Sequence, residues 1–145
     1  MATVNDILAG KSHQLITIAP QATVYSAAVL MNERKIGSLL VMEDDRLVGI
    51  LTETDILRRV VADQRDANVT LVSDVMTREL FCCRPHTDIE ETKSVIKNRR
   101  IRHLPVLGLD DEVVGLISIG DLNAYQTDHQ ERTIHLMQEY IYGTR

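Results

Sequence analysis

Two short stretches hold the side chains best suited to chemistry: Gly49-Ile50-Leu51-Thr52-Glu53-Thr54-Asp55 and Gly115-Leu116-Ile117-Ser118-Ile119-Gly120-Asp121. In each, an apolar strand runs into a helix start that carries a hydroxyl and, three residues later, a carboxylate. Such a set suits a nucleotide. The carboxylate accepts both hydroxyls of a ribose, while the Thr or Ser and the backbone N–H groups of the helix start hold phosphate oxygens. The same spacing is also that of a capping box, a common way to begin a helix. One copy would therefore say little, and it is recurrence at equivalent points that adds weight.

Other chemistries lack their residues. His13, His86, His103, His129 and His135 show neither the close His/Cys spacing of a structural zinc site nor an H-E-x-x-H helix, so no metal is expected. Cys82 and Cys83 are adjacent in what reads as a strand, where neighbouring side chains point to opposite faces and a bridge would be strained. They are expected to be free, buried thiols that nothing activates. A nucleotide-hydrolysing enzyme would need a Walker-type glycine loop, a metal-binding carboxylate cluster and a general base, none of which is evident. The chain reads as a non-enzyme without a catalytic cofactor.

The two stretches belong to a repeat that positions them. The run from Ile16 through Pro20, Ile36 and Val41 to Gly49 and Asp55 is echoed from Phe81 through Pro85, Ile101 and Val106 to Gly115 and Asp121, with one residue inserted after Leu107. Upstream of each copy, Asn5-Asp6-Ile7-Leu8 matches Ser73-Asp74-Val75-Met76. In both copies a short apolar run (Leu15 to Ile18; Leu80 to Cys83) precedes a helical face. That face is Val24, Ala27, Ala28 and Met31 in the first and Ile89, Thr92, Val95 and Ile96 in the second. Thr87 and Glu90 form a capping-box pattern for the second of these helices. Two apolar runs follow (Leu39 to Met42 and Leu47 to Leu51; Leu104 to Leu107 and Val113 to Ile117), then another helix near Asp55 or Asp121. Ile56, Leu57, Val60 and Val61 make up the apolar side of the helix after Asp55.

Each copy thus reads β-α-β-β-α, and two such units sharing a core give a pseudo-twofold α/β (α+β) module. The expected divisions are 1–65, 66–127 and an amphipathic C-terminal helix in 128–145, whose Ile134, Met137 and Ile141 need a partner.

Composition narrows the function. With 44% apolar and 26% charged residues over 145 positions, the chain should fold as an ordinary globular protein. A net charge of −5 with scattered Lys and Arg argues against nucleic acid or an anionic membrane as partner. Aromatics are only 3% and Trp is absent, which leaves no stacking platform for single strands. No apolar run approaches the roughly 20 residues of a membrane span. The N-terminus lacks the basic and apolar regions of a signal peptide, so the expected location is the cytoplasm.

On Ile101-Arg102-His103-Leu104-Pro105-Val106, the twin glycine-strand-Ser/Thr-x-x-Asp pattern and Ser73-Asp74-Val75-Met76-Thr77, the chain resembles the cystathionine β-synthase (CBS) domain family over nearly all its length. The resemblance implies a stand-alone pair of repeats, often called a Bateman module, whose two clefts accept AMP, ADP, ATP, NAD(H) or S-adenosylmethionine. It also implies association as a flat homodimer. Carried over by position, one nucleotide site would combine Thr52, Asp55, Arg58, Thr77, Phe81, Ile101, Arg102 and His103. The other would combine Ser118 and Asp121 with Ile16, Ile36, Gly37 and Ser38, with Lys35 nearby. Where many members carry an Arg directly before the first Asp, this chain has Thr54, and Gly120 in the second copy, so neither position supplies a cation. The expected function is a regulatory nucleotide sensor acting on a separate partner protein. The alternative is a structural or partner-docking homodimer with empty clefts.

Overall fold

In the computed structural model, residues 2–11 and 15–129 are described. The elements run α1 (Val4–Ala9), β1 (Thr17–Ile18), α2 (Val24–Arg34), β2 (Ser38–Glu43), β3 (Arg46–Thr52), α3 (Glu53–Ile56) with a π-helical continuation over Leu57–Val61, and α4 (Val72–Val75). After these come α5 (Ile89–Arg99), β4 (His103–Leu107), β5 (Val113–Ser118) and α6 (Ile119–His129). The expected helix of 128–145 lies almost wholly outside the described residues.

The chain divides into two compact units, one comprising 13–82 with 109–113, the other the described residues of 1–12, 83–108 and 114–145. These units are a different division of the chain from the sequence repeats. The leader ahead of each repeat docks in the unit built by the other repeat.

In the first of these units, β1 pairs parallel to β2 (Thr17↔Leu40, Ile18↔Val41) and β2 antiparallel to β3 (Ser38↔Thr52 through Glu43↔Arg46). The β2–β3 hairpin turns on Asp44 and Asp45, both at positive φ, as a two-residue primed turn requires and as Asp tolerates. Thr23 begins α2 by accepting a hydrogen bond from the Ser26 N–H. The leader 70–77 and the turn before it complete this start. Val24 N donates to Thr70 O and Tyr25 N to Ala67 O, which satisfies helix-start donors that have no partner within the helix. Val24, Ala27, Met31, Leu39, Val41, Leu51, Val60, Val72, Val75 and Met76 form one buried cluster, in which each large side chain contributes roughly 1.5–3 kcal/mol.

The other unit repeats the scheme. Val4 N donates to Thr87 O and Asn5 N to Pro85 O, while Ile89 N donates to Ala2 O, so leader 2–11 docks at the start of α5. The sheet is reduced to β4 and β5. The strand expected over Leu80 to Cys83 shrinks to a single parallel bridge, Cys83↔Val106.

Three local expectations are corrected. The cap of α5 is Asp88, whose side chain accepts from Glu90 N, while the Thr87 hydroxyl instead accepts from Arg84 N and closes a turn. Leu57 and Val61 are 61% and 63% exposed rather than core-facing, because the π turn changes the angular step between residues and leaves only Val60 fully inward. Cys82 is exposed and only Cys83 is buried, as alternation along an extended segment dictates.

Candidate functional site

Each repeat brings its hydroxyl and carboxylate together at a strand-to-helix turn. At the end of β3, Asp55 N donates to Thr52 Oγ1 at 3.2 Å and Thr52 N donates to Asp55 Oδ2 at 3.0 Å, a complete capping box. At the end of β5, Asp121 N donates to Ser118 Oγ at 3.1 Å and Ser118 N to Asp121 Oδ2 at 2.8 Å. The capping interpretation is thus realised in both copies. It does not exhaust the carboxylates, since two oxygens offer about four acceptor positions.

What holds the remaining positions differs between the units. Asp55, 7% exposed, accepts the Thr77 hydroxyl on Oδ1 at 2.9 Å. Thr77 is placed there by main-chain pairing along the edge of β3: Ile50 N donates to Thr77 O and Thr77 N to Ile50 O. Arg59 Nη1 ties the same leader down by donating to the carbonyls of Val75 and Met76. Asp121 instead carries a cation. Lys11 Nζ lies 2.7 Å from Asp121 Oδ2 and donates to Leu116 O at 2.6 Å.

The glycines of the two patterns have a packing reason. A Cβ on Gly49 would sit 2.6 Å from Met76 Sδ and 3.0 Å from Thr77 O. On Gly115 it would sit 2.6 Å from Leu8 Cδ2. Met76 and Leu8 are the matched residues of the two leaders, so the glycine makes room for the leader that then reaches the carboxylate.

The other expected residues fall as follows. Gly37 touches the start of α3: its carbonyl accepts from Glu53 N, and a Cβ there would meet the Glu53 carboxylate at 2.6 Å. Arg102 plays the matching part in the other unit, its carbonyl accepting from Ile119 N while its side chain is exposed. Ser38 is buried on β2, Ile16, Ile36 and Phe81 are half-buried, and Ile101 and His103 are half-buried at the entry to β4. Arg58 is exposed on the π turn. Lys35 is the exposed, left-handed C-cap of α2. Lys11 escaped the sequence reasoning. The one available signal was its place three residues after Leu8, in the leader that matches the one carrying Thr77.

Beside Gly37 and Glu53 lies an open groove of about 470 Å³ lined by Ala28, Met31, Lys35, Ile56, Leu57 and Val61, among others. Among the described residues no group of three or more His, Cys, Asp or Glu could hold a metal ion, and no helix is long and apolar enough to cross a membrane.

Comparison with known proteins agrees with this architecture. The family model for the CBS domain matches twice, at residues 4–62 and 72–128. The CBS domain-containing protein YhcV of Bacillus subtilis is 33% identical over 90% of this chain and 89% of its own length. The mitochondrial protein CBSX3 of Arabidopsis thaliana is 32% identical over 97% of this chain and 72% of its own. Among solved structures, a protein with CBS domains from Burkholderia ambifaria, named for signal transduction, superposes with a TM-score of 0.86 at 37% identity, covering 89% of this chain and 96% of that one. The twice-matched model and these relatives place the chain in the CBS-domain family, as a tandem of two CBS domains.

Proposed function

We propose that the chain is a non-catalytic regulatory module that binds an adenine nucleotide (AMP, ADP, ATP or NAD(H)) and passes occupancy to a separate partner protein. The observation that carries this reading is the Thr52–Asp55–Thr77 constellation: a buried carboxylate at a helix start, held by a backbone N–H and a neutral hydroxyl. A ribose diol can share or replace the Thr77 hydroxyl like for like, and the helix start favours the attached phosphate. Isothermal titration of the protein with AMP, ATP, NAD, NADH and S-adenosylmethionine tests it. Saturable binding to at least one adenine nucleotide is expected, and silence toward all of them would sink it.

A second reading, a structural or partner-docking homodimer, is favoured by the apolar surface beside the groove. Leu57 and Val61 both line the groove and are 61% and 63% exposed, and adjoining exposed apolar side chains mark an interaction surface. Sedimentation velocity separates the cases. Leu57→Glu with Val61→Glu is expected to convert a dimer to monomers, and a wild-type protein that already sediments as a monomer would remove this reading.

A further inference from the structure

Resting on that nucleotide reading, we propose that Lys11 makes the Asp121 half-site selective for phosphorylated nucleosides, by moving from the carboxylate to the ligand's phosphate. The two carboxylates occupy matching turns but are held by chemically different donors. Asp55 is met by an uncharged hydroxyl, whereas Asp121 Oδ2 is met by the Lys11 ammonium at 2.7 Å. Both donors come from matched leaders, locked in place by Met76 against Gly49 and by Leu8 against Gly115.

A ribose hydroxyl arriving at Asp55 exchanges one neutral donor for another. At Asp121 it must share or displace a cation. An unphosphorylated nucleoside offers the displaced ammonium nothing, so an ion pair is exchanged for a hydrogen bond from an uncharged hydroxyl. A nucleotide brings a phosphate to which the flexible four-carbon stem can carry the ammonium, and the cation then exchanges one anion for another. Side-chain exposures of 36% for Lys11 and 23% for Asp121 leave both groups reachable from solvent, and the ammonium moves by releasing the Leu116 carbonyl as well as the carboxylate. The cation that Thr54 and Gly120 fail to supply at their turns is thus present at one of them, delivered from the N-terminal leader. At the Asp55 turn the matched position holds Glu79 instead.

The test is calorimetric titration of the full chain with AMP and with adenosine, on wild type, Lys11→Met, Lys11→Arg and Asp121→Asn. Circular dichroism checks that each variant is folded. Wild type is expected to bind AMP at two sites and adenosine at the Asp55 site alone, with Asp121→Asn removing the second AMP site. Lys11→Met is expected to admit adenosine at the Asp121 site and to weaken AMP there by about two- to fivefold, the scale of one partly exposed charge contact. Lys11→Arg is expected to retain the discrimination. If Lys11→Met leaves the AMP-to-adenosine affinity ratio within about twofold of wild type, Lys11 is only a structural staple and the proposal falls alone. If neither ligand binds any form, the nucleotide reading falls and takes the proposal with it.

Discussion

Replacing Thr77 by Val removes one oxygen and keeps the β-branched shape, so the main-chain bonds between Thr77 and Ile50 should survive. What is lost is the 2.9 Å donor to Asp55 Oδ1. Because Asp55 is 7% exposed, water replaces that donor poorly. A hydrogen bond to an ionised group contributes about 1.5–3 kcal/mol, and an abandoned buried acceptor costs a similar amount. A loss of about 2 kcal/mol corresponds to a fall in Tm of roughly 4–8 °C for a chain of this length. Urea unfolding followed by circular dichroism should show a lower midpoint at an unchanged slope, since the surface exposed on unfolding is the same. Thr77→Ser, which keeps the hydroxyl, should recover most of the loss. A double-mutant cycle with Asp55→Asn should return a coupling of about 0.5–3 kcal/mol. A Thr77→Val protein within about 0.5 kcal/mol of wild type, or a Thr77→Ser protein equally weakened, would refute the claim that this hydroxyl anchors the carboxylate.

Gly49→Ala should cost about 1–3 kcal/mol in urea unfolding, because the new methyl meets the Thr77 carbonyl as well as the Met76 side chain. Gly115→Ala should cost less, since only the tip of Leu8 must turn aside; the reverse order would contradict this packing. Asp88→Ala should lower stability by about 1 kcal/mol through loss of the α5 cap. Glu90→Ala should leave the thermal midpoint close to that of wild type, and a large effect would revive the Thr87–Glu90 box.

The features legible in the sequence were those written in local spacing. The helix starts at Thr52 and Ser118, the apolar faces of α2 and α5, and the two-strand runs after them depend on residues a few positions apart. Matched order along the two repeats added that one unit occurs twice. What stayed hidden depends on contacts between distant segments. That leader 2–11 docks on the second repeat has no local signature, and only the family resemblance set Thr77 of leader 70–77 with Thr52 and Asp55, so spacing alone reveals neither Lys11 beside Asp121 nor the leader contacts that require Gly49 and Gly115. Leu57 and Val61 were misplaced because an ideal helical period was assumed through a segment that widens to a π turn. At α5 two neighbouring residues, Thr87 and Asp88, could each cap, and the carboxylate took the role while the hydroxyl closed the preceding turn.

In the proposed function, Asp55 and its two donors receive a ribose. Amide chemical-shift mapping during an AMP titration tests it, with Asp55→Asn, whose amide oxygen can still accept from Thr52 N, titrated alongside. Saturable shifts that include Thr52 to Asp55 and Thr77 are expected in wild type, weakening sharply in Asp55→Asn. Shifts confined to the groove lined by Ala28, Met31 and Leu57, or identical in the two proteins, would contradict it.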